Sequence, residues 1–168
     1  MKRLLSAALL VFVLLANIVA VAEEQQEELS SVEKEAQESK ITISFRVGDS
    51  ELDINGDKTQ VTTPYVENGT TLVPLRVITE AFGAQVDWEE ATQGITLTFA
   101  DIVIKLNIGS KECQVNGVTT ALLEAPQLKG DTTMVPLRFI SENFGADVQY
   151  DEETEQIDVV KVVANTNS

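Results

Sequence analysis

The 168-residue sequence contains no histidine, a single cysteine and a single tryptophan. Without histidine, the chain cannot build a Ser-His-Asp triad, a Cys-His pair or an imidazole metal site. One cysteine cannot form an intramolecular disulfide or a cysteine-rich zinc site. Positive charge is also scarce, because 27 acidic and 12 basic residues give a formal net charge of −15. That charge argues against general nucleic-acid binding and against electrostatic docking on anionic lipid.

The first 22 residues have the order of a secretory signal peptide. Lys2 and Arg3 precede an apolar run over residues 4–15, and Ala-Val-Ala at 20–22 forms a small-residue cleavage site. The stretch 4–22 is 19 residues long, so an uncleaved membrane anchor is the alternative. Cleavage would remove two positive charges and leave a formal charge of −17. We therefore expect an extracellular protein with no membrane segment after cleavage.

Residues 23–40 form an acidic segment with seven Glu and no aromatic residue. Such a composition cannot bury enough apolar surface to fold alone. We predict a disordered linker there, with an acidic partner-binding arm as the alternative. Residues 41–163 are predicted to form one folded domain, and residues 164–168 a frayed tail.

The predicted domain contains an internal repeat. Residues 70–97 and 132–159 align without a gap at an offset of 62, and 15 of the 28 pairs are identical. Weaker similarity extends upstream, where Asn55-Gly56 corresponds to Asn116-Gly117 at an offset of 61. Two copies are too few for a solenoid. The sequence therefore predicts one domain built from two similar halves, at about 41–99 and 100–163.

Strand and turn patterns occur on both sides of the predicted helix in each half. Apolar and polar residues alternate over 41–47 and over 102–108, which indicates strands. The Asn-Gly dipeptides are strong turn signals, and the apolar residues just before each one predict a short returning strand. Alternation within 86–99 and within 148–159 predicts a further hairpin in each half.

A short helix of about nine residues is predicted in the middle of each half, after a loop. Pro74 and Pro136 suit the first helical position, where a missing N–H is tolerated. Gly83 and Gly145 suit a left-handed helix cap. Between them, apolar residues recur at helical spacing, at Leu75, Ile78 and Phe82 and at Leu137, Ile140 and Phe144. Two β-β-α-β-β units predict an α+β fold, an antiparallel β-sheet wrapped around two short helices.

Arg76 and Arg138 are the first candidates for a specific role. Each precedes a glutamate by four residues, Glu80 or Glu142. This order of charges adds little to a helix and opposes its dipole. A tertiary tether to a loop carbonyl or a carboxylate explains the arginines better, and the alternatives are a surface ion pair and a ligand contact.

The acidic hairpin turns do not predict a metal site or a catalytic pair. Residues 87–90 and 147–153 are rich in carboxylates but lack the spaced ligands of a calcium loop. We interpret them as solvated turns and expect no metal, no cofactor and no catalytic residue. A small hydrolase that uses carboxylates such as Glu90 or Glu152 is the enzymatic alternative.

Trp88 and Tyr150 occupy equivalent positions of the repeat. Because each alternates in phase with Val86 or Val148, we predict that both pack over the helices. Stacking on a sugar ring is the alternative. Cys113 is predicted to be a buried apolar residue, and pairing between two chains is the alternative.

The segment Asn-Gly-Thr-Thr-Leu-Val-Pro-Leu-Arg-Val-Ile-Thr-Glu-Ala-Phe-Gly-Ala-Gln-Val-Asp-Trp at 68–88, together with its second copy at 132–150, resembles a known family. Both segments are similar to the copper amine oxidase N-terminal-like domain, also called the stalk domain. The resemblance covers about 41–163. Its structural motif corresponds to Val73, Pro74, Leu75, Arg76, Phe82, Gly83 and Trp88, and to Val135, Pro136, Leu137, Arg138, Phe144, Gly145 and Tyr150.

The resemblance implies an accessory, non-catalytic domain with antiparallel sheet wrapped around helix. The oxidase reaction uses three histidine copper ligands and a quinone made from tyrosine, so a chain without histidine does not inherit the copper centre. Relatives are typically secreted or surface proteins of Gram-positive bacteria, and the resemblance therefore implies the same address.

Together, these observations predict a secreted, non-catalytic interaction or spacer module at the bacterial cell envelope. The expected partner is wall glycan or a surface protein, bound by the exposed face of the sheet or by its loops. Besides the hydrolase, a self-associating surface-layer component is an alternative. We make no prediction of the oligomeric state.

Overall fold

A computed structural model describes residues 39–163 of the chain, with side chains from Lys40 onward. The predicted signal peptide, the tail and all but the last two residues of the acidic linker lie outside the described residues. The first strand begins at Ser39, two residues earlier than predicted.

Strands and two short helices make up the described part of the chain. In chain order, the elements are β1 (Ser39–Arg46), β2 (Glu51–Ile54), β3 (Asp57–Gln60), β4 (Tyr65–Glu67), β5 (Thr70–Pro74), α1 (Leu75–Phe82), β6 (Gln85–Glu89), β7 (Gly94–Phe99), β8 (Ile102–Asn107), β9 (Glu112–Val115), β10 (Val118–Ala121), β11 (Gln127–Lys129), β12 (Thr132–Pro136), α2 (Leu137–Asn143), β13 (Asp147–Asp151) and β14 (Gln156–Val163).

The strands form three mostly antiparallel sheets, which confirms the α+β class. Their strand orders are β13-β14-β1-β2-β3, β10-β9-β8-β7-β6 and β11-β12-β5-β4. The two halves of the chain are interlocked, because β14 from the end of the chain neighbours β1, and β7 neighbours β8 across the boundary between the halves. Neither half therefore contains a complete sheet of its own.

The predicted β-β-α-β-β unit has too few strands. Five strands precede each helix, and the segments predicted as loops contain β3, β4 and β5 in the first half and β10, β11 and β12 in the second. β3 and β10 pair with the strands just before them, and β4–β5 and β11–β12 are short local hairpins. The two hairpins join across the halves through the pairing of β5 with β12, which leaves little local sequence pattern.

The core lies where the two halves meet. In the β5–β12 pair, Val73 faces Val135, and both side chains are almost fully buried. The predicted apolar faces of both helices are buried against this region. The rings of Phe82 and Phe144 contact each other edge to face at 6.1 Å between centroids, and Phe99 lies 5.1 Å from Phe144.

The helices are slightly shorter than predicted and begin one residue later. Pro74 and Pro136 end their strands in extended conformation and precede the first helical residue. Their missing N–H is tolerated there as well, since neither position needs a helical donor. Gly83 ends α1 with φ of 69°, the predicted left-handed cap, and Gly145 has φ of 77° just beyond α2.

Candidate functional site

Two open grooves lie beside the helices, at equivalent places in the two halves. The α1 groove has a volume of about 670 Å³ and lies between α1, β3, β6 and residues 131–133. The α2 groove has a volume of about 610 Å³ and lies between α2, β13, Ala121 at the end of β10, and residues 69–71. Each groove thus takes its helix from one half and a threonine pair from the other.

Edge strands border both grooves. The strands β3 and β6 are the edges of two different sheets and line the α1 groove, while β10 and β13 are the opposite edges of the same sheets and line the α2 groove. An edge strand has one row of backbone N–H and C=O groups without a partner in its own sheet.

The α1 groove combines polar and apolar side chains with one large aromatic side chain. Trp88 lies on β6 and is 47% exposed. Apolar side chains such as Val61 and Val86 line part of the groove, and hydroxyl, amide and carboxylate side chains line another part, from Thr59, Gln60, Thr62, Asp131, Thr132 and Thr133. This combination offers a flat apolar face beside many hydrogen-bonding groups.

Arg76 and Glu80 lie on the α1 side of this groove. Their closest approach is 3.9 Å, from Arg76 Nε to Glu80 Oε1, and both side chains are largely exposed. Arg76 therefore makes the surface ion pair that was considered as an alternative. Most of its five N–H donors face the solvent and are accessible to a ligand.

Arg138 behaves differently from Arg76. Its Nη1 donates a hydrogen bond to the Val148 carbonyl at 2.9 Å and another to Glu142 Oε1 at 3.0 Å. The first bond joins α2 to β13, which is the geometry of the expected tertiary tether. The two equivalent arginines therefore differ in what they hold.

The α2 groove is more apolar than its counterpart. Four exposed apolar side chains line it, from Val47, Val66, Leu123 and Tyr150, with exposed fractions between 38% and 82%. Leu123 is the most exposed of them. Apolar side chains gathered at an open groove are typical of a binding surface.

A hydrogen bond of the α1 groove is missing from the α2 groove. In the α1 groove, the hydroxyl groups of Thr62 and Thr132 form a hydrogen bond, with their oxygens 2.8 Å apart. At the offset of 61 that relates β3 to β10, Leu123 takes the place of Thr62, and at the offset of 62 that holds further along, Thr70 corresponds to Thr132. The Thr70 hydroxyl is buried and has no hydrogen-bond partner among the described residues. This substitution could have been noticed in the repeat alignment, but its consequence needs the cross-half contact.

A buried carboxylate lies beside the α2 groove. Glu124 accepts hydrogen bonds from Asn68 Nδ2 at 2.7 Å and from the backbone N–H of Ala125 at 3.1 Å, and Lys111 Nζ lies 3.2 Å away. These bonds lower the pKa of Glu124 below its usual value, and the hydrogen bond from Asn68 has the largest effect. Glu124 thus fixes the β4–β5 turn of one half against the other half, a role that sequence reasoning missed.

The prediction that Trp88 and Tyr150 pack in the core is wrong. Their exposed fractions are 47% and 53%, and Val86 and Val47, predicted to share buried strand faces, are exposed as well. All five residues of β6, the edge strand of its sheet, are exposed. Val148, by contrast, is buried. The alternation identified the strands correctly but not the coverage of their faces.

The acidic side chains of residues 87–90 and 147–153 and the single cysteine lie outside the two grooves. Glu90 and Glu152 are exposed and are not among the residues that line the two grooves. Asp151 accepts the backbone N–H groups of Thr154 and Glu153, and these bonds lower its pKa. Cys113 is buried, as predicted, and burial raises the pKa of its thiol.

Two further kinds of feature are absent from the described part of the chain. Between residues 39 and 163, no group of three or more acidic or cysteine side chains could hold a metal ion. Over the same range, no helix is long and apolar enough to cross a membrane.

Most residues of the structural motif lie in or around the core. Val73, Leu75, Phe82, Val135, Leu137 and Phe144 are buried, whereas Arg76, Arg138, Trp88 and Tyr150 line the grooves. The family model of the copper amine oxidase N-terminal domain matches residues 53–159. The chain belongs to this family. The match spans the whole motif, the α1 groove and all of the α2 groove except Val47.

The copper amine oxidase N-terminal domain is a non-catalytic domain. Family membership thus agrees with the resemblance noted in the sequence. A comparison with curated proteins found no match to this chain.

Proposed function

We propose that this protein is a secreted, non-catalytic binding module of the bacterial cell envelope, and that it binds uncharged wall glycan in the α1 groove. The observation that carries the proposal is the exposed Trp88 ring at the side of a groove lined with hydroxyl and amide groups. Sugar rings present apolar C–H faces to aromatic side chains and hydroxyl groups to polar ones.

Arg76 and Glu80 supply the charged part of this site. Their pairing is long and exposed, so neither is committed to the fold. A guanidinium and a carboxylate offer several donors and acceptors to vicinal hydroxyl groups. Because the chain carries a formal charge of −15, general attraction to an anionic wall polymer is excluded as the basis of binding.

The test uses the chain from Glu23, which contains the whole compact unit Lys40–Val163. Trp88 is the only tryptophan, so its fluorescence reports this groove alone. We expect a soluble oligomer of β-1,4-linked N-acetylglucosamine to change the Trp88 emission. The chain should also sediment with purified bacterial walls, with little loss at high salt, since the proposed contacts are not ionic.

The matched variants are Trp88→Ala and Tyr150→Ala. Both remove a half-exposed aromatic ring from an edge strand, so both should fold. Trp88→Ala should lower wall binding about tenfold, as loss of a stacked ring does in other complexes, and Tyr150→Ala should leave it unchanged. Equal wall binding by the two variants would contradict the glycan site. Absence of binding at every salt concentration would favour a spacer.

A further inference from the structure

We propose that the α2 groove binds an extended polypeptide segment of a partner, with apolar side chains and a basic residue at one end. This site is separate from the glycan site, and it rests on different observations. Its bases are two sheet edges, an apolar rim and a net negative charge.

The backbone of β13 at Tyr150, beyond the Val148 carbonyl that Arg138 occupies, is oriented to pair with an added strand. Val148 faces Val159 in the β13–β14 ladder, yet its carbonyl accepts a bond from Arg138 on the groove side. That carbonyl therefore points away from β14. Since backbone groups of an antiparallel strand alternate in direction, those of Tyr150, two residues later, also point away from β14. An extended peptide can satisfy them by strand addition.

The divergence between the two grooves indicates an apolar occupant. In the α1 groove, the hydroxyl groups of Thr62 and Thr132 satisfy each other by a hydrogen bond. In the α2 groove, the equivalent Leu123 is 82% exposed and the Thr70 hydroxyl is left without a partner. An apolar side chain lying over Leu123 would remove its exposed surface from water. A peptide in extended conformation presents a side chain to the same face at every second residue.

The charges of the groove complement a basic residue. Arg138 is paired with Glu142 at 3.0 Å, so these two charges offset each other. Glu155 also lines the groove and makes no ion pair within the described residues. The side chains that line the groove therefore carry one net negative charge on a strongly acidic protein, and Arg46 lies outside the lining, bonded to the neighbouring Thr154 carbonyl. A lysine or arginine near one end of the bound segment would meet Glu155.

The test measures binding of labelled synthetic heptapeptides to the chain from Glu23 by fluorescence anisotropy. One peptide begins with lysine and then alternates valine with serine. A second begins with glutamate, and a third has proline in place of two valines. We expect the lysine peptide to bind best, and the proline peptide to fail because it cannot complete a strand ladder. Trp88 emission should not change, since Trp88 lies in the other groove.

Three variants of this chain test whether the peptides bind in the α2 groove. Leu123→Thr, which restores the residue of the α1 groove, should weaken binding about fivefold or more, as loss of a contacting leucine predicts. Val118→Thr is the control, because Val118 is 68% exposed on β10 but is not among the groove residues. Glu155→Gln should abolish the preference for the lysine peptide over the glutamate peptide. Thermal melts verify that the variants are folded.

Other results would overturn the proposal. No binding of any peptide at about 1 mM, the weak limit of specific recognition, would do so. So would equal binding of the proline peptide, or equal weakening by Val118→Thr. Self-association that Leu123→Thr abolishes, without peptide binding, would assign the groove to a second copy of this chain. Loss of N-acetylglucosamine oligomer binding in Leu123→Thr would assign it to glycan.

Discussion

Replacing Arg138 with alanine tests what holds α2 against β13. The guanidinium donates to the Val148 carbonyl at 2.9 Å and to Glu142 at 3.0 Å, and its side chain is 56% exposed. Arg76, its equivalent in the first half, reaches only Glu80 at 3.9 Å and is 85% exposed. The two arginines follow the same local sequence, Val-Pro-Leu-Arg, so the comparison isolates the tertiary bond.

The hydrogen bonds and exposure of the two arginines determine how much free energy of unfolding each alanine substitution should remove. A hydrogen bond from a charged donor contributes about 1.5–3 kcal/mol when buried, and partial exposure reduces this value. An exposed ion pair between residues four apart on a helix contributes about 0.3–0.5 kcal/mol. We therefore expect Arg138→Ala to lower the free energy of unfolding by about 1–2 kcal/mol, and Arg76→Ala by about 0.5 kcal/mol or less.

Urea unfolding followed by far-ultraviolet circular dichroism measures both losses. The slope of the free energy against urea should be the same in both variants, so the difference lies in the midpoint. Glu142→Gln is a further control, because it removes the ion pair and leaves the Val148 bond, and it should resemble Arg76→Ala. Equal destabilisation by Arg76→Ala and Arg138→Ala, or a loss from Arg138→Ala within experimental error, would refute the tether.

Three further predictions concern single contacts. Thr70→Val removes a buried hydroxyl without a partner and should leave stability unchanged or raise it by up to about 1 kcal/mol, whereas Thr132→Val breaks its bond to Thr62 and should lower stability by about 1 kcal/mol in the same urea assay. Gly83→Ala places a Cβ on a left-handed cap and should lower the melting temperature, at a cost of about 1 kcal/mol; an unchanged melt would contradict this account of the cap. Glu124 has a pKa below 4.5 in the fold, so the stability that it contributes is present above about pH 4.5 and is lost as the pH falls through the lowered pKa. Unfolding titrations from pH 6 to pH 3 should therefore show the gap between the protein and its Glu124→Gln variant closing in acid, and a constant gap would show that ionisation of Glu124 is not linked to folding.

Local patterns in the sequence predicted the elements well where local forces decide them. The Asn-Gly dipeptides form turns with positive φ at Asn55, Gly56, Asn116 and Gly117, because these residues tolerate that conformation. The apolar spacing of α1 identified its buried face. The short strands next to the helices were missed, although β4–β5 and β11–β12 are local hairpins, and only the pairing of β5 with β12 depends on residues about sixty positions away.

The grooves were only partly predictable. Their arginines and aromatic residues stood out in the repeat, and the alternative of an exposed aromatic ring was considered. The exposure of Trp88 and Tyr150 could not be derived from alternation, because a period of two separates the faces of a strand but does not show what covers each face. The threonine contacts across the halves were not visible either.

By itself, the sequence determined the α+β class, the duplicated helix with its glycine cap, the family motif and the acidic surface, because each depends on neighbouring residues or on composition. Only the tertiary structure decided that the halves exchange strands, that Arg138 is bonded to β13 while Arg76 is not, and that Thr70 lacks the partner that Thr132 has. These features arise from contacts between distant segments. A pair of equivalent residues can share one local sequence and still differ in what the fold places beside them.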